Sequence, residues 1–288
     1  MTRATMGPPT PIAPASAFFR ACLYEWRHLT ALRSTWVLLG VVALLSLLTG
    51  LNVLLDAEGQ NTANPLIAAD SITWAPLSTQ VPALCFFMLA IGTGPVSTDL
   101  VTGAARTTWL AVNGPRTAYT AKCTVGFSVA CAVAATSVLL GALSYAAALA
   151  LIGAPQPAWL SVLLPAVRFV AWMGCWALLC MAVISLLRSR ILPILILVLW
   201  PLIVERLIGA LLGRLPCLDG IGNWLPFAAG RAMLTDASAY SGEDRSFVKM
   251  LIGSHLSPSE ATVVFFLYTT VIATAGLWAY CRRDLKTI

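Results

Sequence analysis

Few residues in this chain are equipped for chemistry, and their spacing decides what kind. Only two histidines occur, His28 and His255, far apart along the sequence. A lone histidine is more often an interface or surface residue than a ligand. No GxxxxGK[ST] phosphate loop, HExxH, GxSxG or GxGxxG is present. The eight cysteines include no CxxC pair, and most fall inside apolar runs, where cysteine behaves as a small hydrophobe. The pattern gives neither a disulfide framework nor a metal site. It predicts a protein without a catalytic centre of its own.

What remains is polar side chains in apolar surroundings. Arg168 stands inside an apolar run, where a charge is costly unless it faces protein or water. Glu205 and Arg206 mark the end of another. Thr73, Ser78, Thr79 and Gln80 open a third and are suited to line a polar path or to bond between helices. Thr73, Ser78, Thr79, Gln80, Arg168 and Glu205 are therefore the candidate pathway residues. A different signal lies between runs. Asp99 and Arg106 are seven residues apart, two helical turns, so they share a face. Asp99 is also suited to cap the start of such a helix.

The elements that must position these groups are set by composition. Hydrophobic residues make up 59% and charged residues 10% of the 288. A soluble domain carries roughly 25% charged residues, so the solvent of this chain is largely lipid. The expectation is an all-α integral membrane protein with six transmembrane helices. The spans are expected near 35–55, 74–97, 124–152, 160–187, 191–212 and 261–280, the fifth interrupted by Pro193 and Pro201. Residues 1–16, rich in Pro, Ala and Thr, read as a disordered segment, and 17–288 as one membrane domain. Residues 17–33 read as an amphipathic interfacial helix, with Phe19, Cys22, Leu23, Trp26 and Leu29 on the apolar side.

Basic residues alternate between connecting segments. Twelve of the 18 Lys and Arg fall in the N-terminal segment, alternate loops and the tail, five in the segments between, and Arg168 within a span. The positive-inside rule then puts both termini on the cytoplasmic side of the cell membrane. The net charge of +6 is accounted for by orientation, with no call for nucleic acid. Two connecting segments exceed a turn: the cytoplasmic 98–123 and the outer 213–260. The outer one contains Asn223-Trp224-Leu225-Pro226-Phe227, which fits a short helix dipping into the outer leaflet.

Three stretches carry a family resemblance. Tyr24-Glu25-Trp26-Arg27-His28-Leu29 with Leu32-Arg33-Ser34-Thr35-Trp36, the Asp99–Val112 loop followed by Arg116 and Lys122, and the tail Tyr280-Cys281-Arg282-Arg283-Asp284 resemble an ABC-2 type transporter permease. The loop departs from the family at Thr98-Asp99, where Gly-Glu is usual, and at Asn113-Gly114-Pro115, where Pro-Arg is usual. The resemblance implies the permease subunit of an ABC exporter, paired with a second permease copy or paralogue. A separate ATPase subunit would bind ATP and magnesium and drive it. It implies that Asp99, Gly103 and Arg106 form a coupling helix, with Glu25 and Arg27 of the N-terminal helix beside the ATPase. A membrane anchor or sensor subunit that binds an ATPase partner without translocating anything is the alternative.

Overall fold

The computed structural model describes residues 14–55, 63–73, 82, 84–86, 88–89, 94, 96, 109, 114–187, 189, 191–215 and 220–282. Among these residues every regular element is helical. The helices are α1 (Pro14–Ala31), α2 (Arg33–Leu55), α3 (Pro65–Thr73), α4 (Pro115–Ile152), α5 (Trp159–Leu186), α6 (Leu192–Leu199), α7 (Glu205–Leu212), α8 (Pro226–Leu234), α9 (Gly242–Ile252) and α10 (Pro258–Cys281). Five stretches of helix are long and apolar enough to cross a membrane: Thr35–Leu55, Pro115–Ile152, Trp159–Leu186, Leu192–Leu212 and Pro258–Cys281. Their outward faces carry exposed Leu139, Leu143, Leu160, Leu163 and Leu267, which suits a lipid surround. This is the build of a multi-pass membrane protein. The second predicted span, 74–97, falls mostly outside the described residues.

α5 is the axis of the bundle. Trp172, Trp176, Met173 and Met181 on it are fully buried. α10 crosses it closely because Gly276 has no side chain. A Cβ there would lie 2.6 Å from the Cα of Ala182. α10 begins at a capping box, in which Ser257 accepts from the Glu260 amide and the Glu260 carboxylate accepts from the Ser257 amide.

α2 and α4 run in the same direction. Ser46 Oγ lies 2.7 Å from Ser137 Oγ, and four residues on, the Gly50 amide donates to Ser144 Oγ at 3.1 Å. Small and hydroxylated residues at this contact let the two backbones approach, as expected where lipid removes the hydrophobic drive between helices. α4 starts nine residues earlier than the expected span at 124. Its 38 residues make about 57 Å of helix, well beyond a hydrocarbon core of about 30 Å. Its first turns are buried against α1 and the ends of α5 and α10, with Lys122 inside the helix where a loop residue was expected.

The N-terminal helix is present as an amphipathic element, and a second stripe of it packs on the bundle. Its buried stripe is Ala17, Ala21, Glu25 and Leu29, while Phe19, Leu23 and Trp26 are exposed. Ala21 packs on Ala118 and Ala121 of α4. Helix contacts in lipid select small side chains, and bulky apolar ones turn to the acyl chains. The expected apolar side is thus largely the lipid-facing one.

The fifth span is interrupted at the second of its expected sites. Residues Trp200–Val204 form a π-helical turn between α6 and α7. Pro201 has no amide hydrogen to donate, and the wider turn absorbs that loss, closing with the Glu205 amide on the Trp200 carbonyl.

Candidate functional site

Two polar clusters occupy opposite ends of the bundle. The first lies where α1, the start of α4 and the ends of α5 and α10 meet. Lys122 donates to Glu25 Oε1, and both side chains are almost wholly buried, at 2% and 3% exposure. Glu25, expected to face an ATPase, is instead enclosed between α1 and α4. Arg27 remains exposed.

Beside this pair sits an aromatic cluster. Tyr280 of α10 and Tyr119 of α4 have ring centroids 4.9 Å apart. Trp109 meets Tyr280 edge-on at 5.5 Å, and its Nε1 donates to Tyr280 Oη at 3.0 Å. Val96, Met181 and Ile184 complete the cluster, and Trp109 also packs on the alanines joining α1 to α4. Val96 and Trp109 flank residues 97–108, so both ends of that segment are tied to the same cluster. The Gly114 amide donates back to the Trp109 carbonyl at 3.0 Å. Gly114 has φ of 132°, a value L side chains rarely adopt, and Pro115 then opens α4. The Gly114-Pro115 pair is thus what turns the chain into α4.

The second cluster lies at the opposite end, among α7, α8 and α9. Glu205 is buried and accepts from the Phe227 amide at 2.9 Å, acting as a remote cap on α8. Arg231 Nη2 is 3.5 Å from Glu205 Oε1. Arg206 donates to the Met250 and Leu251 carbonyls, and Arg231 Nε to the Ile252 carbonyl at 2.8 Å. Two guanidinium groups therefore hold the C-terminal carbonyls of α9, the end of a helix that favours positive charge. A short helix, α8, does open at Pro226, and it is buried through Phe227, Ala228, Ala229 and Gly230 against α5 and α10.

Of the candidate pathway residues, Thr73 is buried and its hydroxyl donates to its own helix at Ala69, 2.7 Å away. Arg168 is partly exposed on α5. No bond joins any two of Thr73, Arg168 and Glu205. Ser78, Thr79 and Gln80 lie outside the described residues, as do Asp99, Gly103 and Arg106. Among the described residues no group of three His, Cys, Asp or Glu side chains is placed to hold a metal ion. Every described cysteine is free.

Two residues of this architecture escaped the sequence reading. Lys122 was visible only as one more basic loop residue. Its partner stands 97 positions away, and the available signal was the Ala17, Ala21, Glu25, Leu29 spacing of four. Asp70 is the other. It lies on α3, and Tyr240 Oη donates to its Oδ2 at 2.6 Å. Burial raises the Asp70 carboxyl from 3.8 to about 7, partly opposed by the Tyr240 bond and reinforced by Asp236.

A group whose pKa is raised on folding contributes stability at low pH and loses it as pH climbs through the folded value. Docking of the Tyr240 segment on α3 is therefore expected to weaken between pH 4 and pH 7. Asp70→Asn keeps an acceptor for Tyr240 and should flatten that dependence. Hydrogen exchange of the 237–240 amides across this range checks it; an unchanged slope in Asp70→Asn would remove Asp70 as the cause.

No protein-family model and no curated protein matches the chain.

Proposed function

We propose that this chain is the permease subunit of an ATP-driven exporter of the ABC-2 type. It works in the cell membrane with a second permease, a homologue or a copy, and with a separate ATPase that binds ATP and magnesium. The permease does no bond chemistry. Its task is to change access to a path between the two permeases when the ATPase closes.

Six spans are part of the proposal. α2 and α4 run in the same direction, so the chain between them has to return across the bundle. Leu84, Cys85 and Met88 lie buried with Met173 and Trp176 of α5, and Val96 lies beside Tyr119. That progression from mid-bundle to the start of α4 supports a sixth span in 74–97. Both termini are assigned to the cytoplasmic side, following the basic residues.

The observation that supports the reading is the shared cluster of Val96 and Trp109, the described residues on either side of 97–108. A partner pressing on that segment moves Trp109. Trp109 leans on α1, α4 and α10 at once, so the displacement reaches three helices together. This suits a rigid-body switch between two packings.

Arg106 and Asp99 supply the test. Single exposed ion pairs contribute about 1 kcal/mol, so alanine changes are mild. Charge reversal sets like charges in contact and costs more. Arg106→Glu and Asp99→Arg are expected to lose ATPase copurification and substrate-stimulated hydrolysis while membrane insertion is normal. Full retention of both readouts in both variants would sink the coupling role.

A further inference from the structure

A groove of about 560 Å³ runs between α1, α2 and α4. Trp26 of α1 and Trp36 of α2 stand at one end, and Ala43 and Leu140 line the other. Because α2 and α4 run in the same direction, the stretch from Trp36 to Ala43 lies alongside Val129 to Leu140, about 16 Å of helix. That is the depth of one leaflet, half of a hydrocarbon core of about 30 Å. Beyond it the groove is closed, where Ser46 meets Ser137 at 2.7 Å and the Gly50 amide bonds Ser144. The two indoles suit the headgroup boundary, where aromatic rings with a polar edge collect.

Gly40 keeps the groove open. A Cβ there would meet nothing within 4 Å, whereas at Gly50, Gly126, Gly174 and Gly276 it would fall within 3.0 Å of another helix. Glycine inside a helix is destabilising, and no packing within the chain asks for it at position 40. The groove is open on the side where Gly40, Ala132 and Thr136 are exposed, continuous with the lipid-facing Val37, Leu44 and Leu139. A helix of a second copy crossing the bilayer would need a groove of full thickness, and this one stops at mid-membrane. Its mouth is basic. Arg33 shares a helix face with Trp36, Gly40 and Ala43, Arg27 adjoins Trp26, and both guanidinium groups are exposed. Glu25 is the one acidic residue in 14–55, and it is buried with Lys122.

We propose that this groove holds one acyl chain of an anionic phospholipid, drawn from the leaflet on the side of α1. The chain lies over Gly40 between α2 and α4, and the head is held at Arg27 and Arg33. An occupant with a polar anionic end and an apolar tail one leaflet long answers the charge at the mouth, the depth and the closed inner end together. The site is independent of the exporter reading, since it uses neither the 97–108 segment nor a partner protein.

The experiment uses the full chain purified in micelles holding equal amounts of phosphatidylglycerol and phosphatidylcholine with the same acyl chains. Native mass spectrometry counts the lipids retained and gives the mass of the protein assembly. One phosphatidylglycerol is expected to be retained about tenfold over phosphatidylcholine, the worth of a charge-assisted bond. Gly40→Phe fills the groove without meeting a neighbour at its Cβ, and is expected to lose that lipid while thermal unfolding in lipid-free detergent matches the parent. Should Gly40→Phe fail to fold, Ala132→Phe fills the same groove from α4, where residue 132 is exposed. Arg27→Gln/Arg33→Gln is expected to keep a lipid but lose the preference. Unchanged retention in a folded groove-filling variant overturns the site, as does equal retention of the two lipids by the parent or a preference that survives the double arginine change. A fall in assembly mass in Gly40→Phe with retention unchanged gives the groove to a second copy and overturns it too.

Discussion

Lys122→Met is expected to destabilise the helical bundle by about 3–5 kcal/mol, the range for removing one member of a buried ion pair. Glu25 would lose its Lys122 bond. It is 3% exposed and held between α1 and α4 by packing of Ala21 on Ala118 and Ala121, so it cannot reach water without separating the helices. Glu25→Leu should cost a similar amount, by removing the carboxylate that Lys122 bonds. The double variant Glu25→Leu/Lys122→Met is expected to recover most of the loss. Replacing both members of a buried pair by apolar groups of similar volume is often neutral. Thermal unfolding in one detergent, read as a double-mutant cycle, gives the coupling. Single variants within about 1 kcal/mol of the parent, the range of exposed pairs, would mean that water reaches the pair. The cycle also separates two roles of α1: loss of the pair should free α1 from α4 before the α5–α10 contact at Gly276 opens.

The spans were legible because lipid imposes one rule on every residue facing it. α5 and α10 lie within three residues of the stretches read from hydropathy, and the break in the fifth span falls at Pro201. The N-terminal helix was legible as an element but not in the stripe by which it packs on α4. Helical spacing marked Leu23 and Trp26 as the apolar side, but hydropathy cannot distinguish a face turned to lipid from one turned to protein. Small residues do, and Ala17 and Ala21 held that signal. Lys122 was read as a loop charge because charge counting sees a residue and not its partner. Its burial depends on Glu25 from a distant segment, and no local pattern encodes that pairing. The same limit hid the roles of Arg206 and Arg231, whose acceptors are carbonyls of α9. Glu205 was singled out as a charge at a span end. The structure makes it the cap of α8, a role fixed by where Phe227 folds back.

Trp109→Ala is expected to abolish ATPase stimulation by substrate while leaving the spans assembled. The indole is the wedge between the N-terminal helix, the first turns of α4 and the end of α10. Truncating a buried tryptophan costs roughly 3–5 kcal/mol. Trp109 is only partly buried, so the stability loss should fall at or below the lower end. The functional loss is expected to exceed that figure, because in the proposed coupling role Trp109 passes a displacement to three helices. Trp109→Phe separates packing from hydrogen bonding. It keeps an aromatic edge for Tyr280 but gives up the Nε1–Oη bond, worth about 1 kcal/mol. Stimulation should therefore be reduced and not lost. Tyr280→Phe removes the same bond from the other side, and the pair of Phe changes should be less than additive. Hydrolysis by the reconstituted complex, with and without substrate, gives the coupling, and thermal unfolding gives the stability. If Trp109→Ala retains full stimulation, the 97–108 segment does not act through this cluster. If stimulation falls only in proportion to stability, Trp109 serves packing alone. A complete loss of stimulation with most of the stability intact is the result that makes it the transmitting residue.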